Sequence, residues 1–142
     1  MSEIIPVEVR IGTPLTGVKF SVRRRLRSIK RSGRTGLLLV SEIREPVRSF
    51  TFKAGVVSVH ERGNELCFGS RDSRRPKFVE LEPGSHRLEL RVTRMQAGRS
   101  TAASAETELN AGDILVIMCD PVQADVFYRR SPGGDSWTVG IV

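Results

Sequence analysis

The sequence predicts an all-β fold, a two-sheet antiparallel β-sandwich (jelly-roll or Ig-like) of about eight to ten strands with little helix. Three observations carry this expectation. Short runs alternate between apolar and charged residues, as in Val7-Glu8-Val9-Arg10-Ile11 and Leu88-Glu89-Leu90-Arg91-Val92, the period of a half-buried strand. Turn signals separate the runs at short intervals: Lys53-Ala54-Gly55, Arg62-Gly63-Asn64, Pro83-Gly84, Ala111-Gly112-Asp113 and Pro132-Gly133-Gly134. Two runs, Leu37–Val40 and Ile114–Met118, are apolar throughout and predict central strands covered on both faces.

Taken in order, Val7–Ile11 is the first strand and Leu37–Val40 the first central one. Phe50-Thr51-Phe52 and Val56–Val59 follow, with Val57 and Val59 on one face. Val79 and Leu81 alternate with Glu80 and Glu82. Leu88, Leu90 and Val92 form the next inward row. Residues 97–105 are small and polar and read as a flexible loop. Ile114–Met118, Val126-Phe127-Tyr128 and Trp137–Val142 complete the set, the last docked into the sheet. Leu115, Ile117, Leu88, Leu90 and Val79 are the expected core.

The length of 142 residues suits one domain over the whole chain, and a single core is feasible without a metal or disulfide staple. Cys67 and Cys119 sit in the apolar runs Leu66-Cys67-Phe68 and Ile117-Met118-Cys119 and read as buried, reduced thiols not bonded to each other. The opening Met-Ser-Glu-Ile-Ile-Pro is acidic and lacks the basic and apolar regions of a signal peptide. The longest apolar run, Ile114–Cys119, falls far short of the roughly 20 residues that span a bilayer. A cytoplasmic location is the expectation.

Residues 79–90 and 107–118 echo each other. Glu80, Leu81 and Gly84 align with Glu108, Leu109 and Gly112, each copy giving a short strand, a glycine turn and a longer strand. Pro83-Gly84 suits the two central positions of a type II turn. Such a turn splays a hairpin, so the chain is expected to cross between two sheets there. The stretch Phe78–Met118, reading VELEPGSHRLELRV and then TELNAGDILVIM, resembles PEGA-type β-sandwich modules. Those carry a Pro-Gly-x-His turn between strands and a later Leu-x-x-Gly lead-in to a strand. The resemblance covers under a third of the chain. It implies a β-sandwich and an accessory binding role without catalysis, and it supplies no site residues.

No motif points to chemistry. Gly-x-Ser-x-Gly, the P-loop and Gly-x-Gly-x-x-Gly are all absent. His60 and His86 have no second ligand at metal spacing, and both read as strand-end histidines. Cys119-Asp120 sets a thiol beside an acid with no base. No catalytic residue, metal ligand or cofactor is therefore assigned. An enzyme site assembled from scattered residues is the remaining catalytic alternative.

The strongest local feature is basic. The net charge is +7, but residues 1–100 hold 21 Lys and Arg against 10 acids, and residues 101–142 hold two against six. Of the 23 cations 19 are arginine, the residue suited to bidentate phosphate or carboxylate contacts; a GC-rich coding bias gives the same excess. Residues 19–34 carry Lys19, Arg23, Arg24, Arg25, Arg27, Lys30, Arg31 and Arg34 with no acid. As a strand, Val18, Phe20, Val22 and Leu26 share a face. As a helix, Leu15, Val18, Val22, Leu26 and Ile29 fall within roughly 80°, with only Phe20 off the face. The strand neighbours favour a strand running into an exposed loop. A second cluster, Arg71, Arg74, Arg75 and Lys77, lies in a turn-rich segment. The expected function is a non-catalytic binding or protein-interaction module. Its contact residues are Arg23, Arg24, Arg25, Arg27, Lys30, Arg31 and Arg34. Its partner is an acidic protein or, alternatively, a nucleic acid, and homo-oligomer formation stays open.

Overall fold

The computed structural model describes residues 7–12, 20–40, 56–70, 76–93, 100–120 and 135–142. Phe50–Phe52, Val126–Tyr128, the turns at 53–55 and 132–134, and Leu15, Val18, Lys19, Arg71, Arg74 and Arg75 lie outside the described residues. Nine strands and one helix appear among the described residues. Their order is β1 (Val7–Ile11), α1 (Phe20–Arg31), β2 (Gly36–Val40), β3 (Val56–Glu61), β4 (Asn64–Ser70), β5 (Lys77–Glu80), β6 (Gly84–Thr93), β7 (Thr101–Leu109), β8 (Ile114–Asp120) and β9 (Asp135–Ile141). They form a five-stranded sheet, β1-β9-β8-β2-β5, and a four-stranded sheet, β4-β3-β6-β7. The all-β, two-sheet expectation holds. The four-stranded sheet is antiparallel throughout. The five-stranded sheet amends the expectation, because β1 runs parallel to β9 and β2 parallel to β8.

The two sheets bury the alternating rows between them. Leu37 and Leu39 of β2, Leu115, Ile117 and Cys119 of β8, and Trp137 and Val139 of β9 face Val57, Val59, Leu88, Leu90 and Val92 from the opposite sheet. The other faces of β2 and β8 are equally apolar. Leu38, Val40, Ile114 and Val116 pack against Val22, Leu26 and Ile29 of α1. The double cover predicted for these strands is thus a sheet on one side and a helix on the other. At about 25 cal/mol per Å² of apolar area, this second face is too large to leave wet.

This corrects the strand reading of the basic segment. In a strand, Arg24 would share the apolar face with Val22 and Leu26, and Ile29 would point away. In a helix, Val22, Leu26 and Ile29 stack on one side and every arginine clears it. The three are buried, and Phe20, the residue that did not fit the apolar face, is 70% exposed. Residues 101–105 also depart from the flexible-loop expectation. They belong to β7 and pair in register with β6 from Thr101↔Val92 to Ala105↔Leu88. Their small side chains gave no alternation to read; the partner strand supplies the order.

The internal echo marks two crossings between the sheets. After β5 the chain leaves the five-stranded sheet and enters the four-stranded one at Gly84; after β7 it returns at Gly112. The type II turn lies at the second crossing, where Asp113 N donates to Asn110 O at 3.0 Å and Gly112 has φ +87°. Gly84 has φ +131°, off the type II value of about +80°. There the Glu82 carbonyl accepts instead from the His86 ring at 2.6 Å. The end of α1 is tied to this region. Lys30 Nζ donates to the carbonyl oxygens of Gly112, at 2.9 Å, and Val142, at 2.8 Å. Gly112 N donates to Thr35 Oγ1 at 2.7 Å.

Gly36 opens β2 between β5 and β8, and a Cβ there would collide with the Val79 carbonyl oxygen. Gly36→Ala is expected to cost about 1–3 kcal/mol by overpacking, and Leu90→Ala about 2–5 kcal/mol through the cavity it leaves. Gly12→Ala, with no described atom within 4 Å of the added one, is the control and should leave stability nearly unchanged. Urea unfolding read by the fluorescence of Trp137, the sole tryptophan, measures all three. A Gly36→Ala midpoint equal to that of Gly12→Ala would show that β2 and β5 are not in close register.

Candidate binding surface on the helix

Burial of Val22, Leu26 and Ile29 fixes the rotation of α1 about its axis. At 3.6 residues per turn, Phe20, Arg24, Arg27 and Arg31 fall within about 60° of one another, nearly opposite the buried stripe. All four are exposed. Arg23 and Arg25 are exposed on the two flanks. The result is a row about 16 Å long with a repeat near 5.4 Å. No acid stands in the first turn or anywhere else in α1.

The helix carries this charge against its own electrostatics. Arg23, Arg24 and Arg25 crowd the positive end of the macrodipole, where cations are unfavourable. Arg23 and Arg27, and Arg27 and Arg31, are like charges at i, i+4, each pair destabilising by a few tenths of a kcal/mol. Only Lys30 and Arg31, in the last turn, are favourably placed. Packing of the apolar stripe outweighs these terms.

The seven contact residues named from the sequence divide in the structure. Arg23, Arg24, Arg25, Arg27 and Arg31 form the exposed surface. Lys30 lies on the flank, with its ammonium engaged by the Gly112 and Val142 carbonyls. Arg34 lies beyond the helix, with Nε 3.6 Å from Glu80 Oε1. Of the second cluster only Lys77 is described, half-buried in β5.

Two histidine arrangements were not legible in the sequence. On β3, Ser58 Oγ lies 2.8 Å from His60 Nε2, and the residues are 4% and 9% exposed. Glu89 of β6 stands opposite His60 in the ladder, but its carboxylate is held by Arg91 Nε at 2.6 Å. A serine beside a histidine is the start of a nucleophilic site. Here both side chains are buried, and their contact gives the hydroxyl and one ring nitrogen a polar partner. Neither residue lines the shallow groove of about 520 Å³ beside His86, which Glu61, Arg62, Arg87, Glu106 and Glu108 border.

His86 is held at both ring nitrogens by groups that only accept. Nδ1 is 2.6 Å from Glu61 Oε2 and Nε2 is 2.6 Å from the Glu82 carbonyl. Both nitrogens donate only in the imidazolium form. Burial pushes the ring toward neutrality, and Arg62 opposes the charge too, but the Glu82 carbonyl and Glu61 carboxylate outweigh them. The pKa therefore lies above the usual histidine value. Burial, helped by Glu65 and opposed by Lys77, pushes the Cys67 thiol up to about 12 and keeps it protonated, and Cys119 is buried as well. Among the described residues no group of three His, Cys, Asp or Glu is placed to hold a metal, and no helix is long and apolar enough to cross a membrane.

The His86 contacts have a pH signature. Stability from a raised histidine pKa is fully present below the unfolded value of 6.5 and is lost as pH rises through the folded pKa. Thermal midpoints should therefore fall between pH 6.5 and the folded pKa, and His86→Gln should abolish that slope. Proton NMR titration should give His86 a pKa above 6.5. A His86 resonance titrating below 6.5 would contradict the two-acceptor geometry.

In comparisons with known proteins, the chain matches no family model, no curated protein and no solved structure.

Proposed function

We propose that this protein is a non-catalytic binding module that grips an anionic macromolecule through the outward face of α1. One observation carries the reading: the burial that docks the helix also aims Arg24, Arg27 and Arg31 directly away from the body. No acid on the helix neutralises them, so the row keeps its field. Screening limits that field to about 8 Å at physiological salt, which makes it a contact surface. Arginine forks suit carboxylate and phosphate alike. The electrostatic cost within the helix supports the same reading, because a purely structural cover needs only Val22, Leu26 and Ile29. The resemblance of Phe78–Met118 to PEGA-type modules, which are accessory binding domains, agrees with it.

The experiment compares Arg24→Gln/Arg27→Gln/Arg31→Gln with the wild type on heparin. Glutamine keeps helix propensity, so circular dichroism and thermal stability should stay unchanged or improve slightly as like charges are removed. Retention should fall sharply in the variant, and wild-type retention should weaken steeply between about 50 and 200 mM salt. Lys30→Ala should do the reverse, lowering the thermal midpoint by freeing the Gly112 and Val142 carbonyls. Loss of folding in the triple glutamine variant would make these arginines structural and end the proposal.

A further inference from the structure

Phe20 is the residue the packing of α1 does not use. It opens the helix, it is 70% exposed, and it stands in line with Arg24, Arg27 and Arg31 rather than with the buried stripe. Leaving an aromatic ring in water forfeits the free energy its burial would bring. A carboxylate-bearing protein surface would need only the arginines. A ring followed by a row of guanidinium groups at a turn's spacing matches a different partner. Exposed bases stack on aromatic faces and on guanidinium planes, while the phosphates between them take the arginine forks. Lys30, which offers no plane, is already engaged by backbone carbonyls, so the heads on the outermost row are all planar.

The alternatives fit less well. Insertion into a membrane requires an amphipathic helix to offer its apolar face to the lipid, and here Val22, Leu26 and Ile29 are buried against β2 and β8. Duplex DNA hides its base faces, so an exposed ring gains nothing along its backbone. We infer that the α1 face binds single-stranded nucleic acid, with Phe20 as a base-stacking platform and Arg24, Arg27 and Arg31 as phosphate contacts. This rests on the reading of the helix as an anion-binding surface and narrows it to one class of partner.

The test is fluorescence anisotropy with a labelled oligothymidylate of about 12 nucleotides, near the span of one single-strand site. The same sequence as a duplex, polyglutamate and phosphatidylserine vesicles are measured beside it. The oligothymidylate should bind more tightly than its duplex. Phe20→Ala and Phe20→Leu should each weaken binding at least about fivefold, the equivalent of one stacked base, without changing the salt slope. Phe20→Tyr should bind as the wild type does. Arg24→Gln/Arg27→Gln/Arg31→Gln should flatten the salt slope by about 2, the share of three phosphate contacts on a single strand. Phe20 is outside the core, so these variants should fold, and circular dichroism verifies it. Equal binding of duplex and single strand, or a Phe20→Ala variant with full affinity, would overturn the stacking inference and leave the anionic-surface reading standing. Binding of polyglutamate or vesicles with no binding of the oligonucleotide would do the same and move the partner to another class. No binding to any of the four probes at low salt would remove both.

Discussion

The structure depends on one constraint: β2 and β8 are apolar on both faces. Leu37 and Leu39 point into the space between the sheets, and Leu38 and Val40 point out of it. Leu115 and Ile117 divide from Ile114 and Val116 in the same way. A two-layer sandwich satisfies only one of these faces. The other needs a cover about as wide as two strands, and a helix with Val22, Leu26 and Ile29 on one side provides it. The molecule is in consequence a sandwich with a third, partial layer. The same contact that closes the core presents the arginines, so the fold and the candidate surface have a common cause.

The parallel pairing of β2 with β8 ties this cover to the rest of the chain. α1 leads into β2, and its end meets the turn that leads into β8. Lys30, Thr35 and Gly36 join the two places through Gly112 and Asp113. The crossing at Gly112 therefore holds the helix as well as connecting the sheets. The matching crossing at Gly84 also meets the segment after α1, where Leu81 N donates to Thr35 O at 3.0 Å and Arg34 pairs with Glu80. The rest of its order comes from His86, which reaches back to Glu82 and across to Glu61. Two segments of similar sequence thus solve the same topological problem with different local chemistry.

The strands were legible wherever an alternating row met a charged one, as at Leu88, Leu90 and Val92 between Arg87, Glu89 and Arg91. The continuous runs in β2 and β8 went further and implied a second cover. The helical form of the cover is not evident in the sequence, because neighbouring strands outweigh a helical spacing that Phe20 interrupts. The parity of Arg24 was the signal that decides between the two, since a strand would bury it beside Val22 and Leu26. The first half of β7, residues 101–105, is hidden for another reason: these residues are small, and only pairing with β6 makes them a strand. Contacts such as His86 with Glu61, 25 residues apart, leave no local pattern. The arginines of the surface were all named from the sequence. Their division into an outward row, an anchoring Lys30 and an Arg34 paired with Glu80 required the fold.

Native-state hydrogen exchange of α1 tests the central claim most directly, because a 12-residue helix with this charge has no independent stability in water. If docking on β2 and β8 holds it, the amides of Leu26 to Arg31 should exchange only in the large openings that also expose the sheet. Exchange of those amides at the rate of an unstructured peptide, with β2 and β8 still protected, would contradict the account.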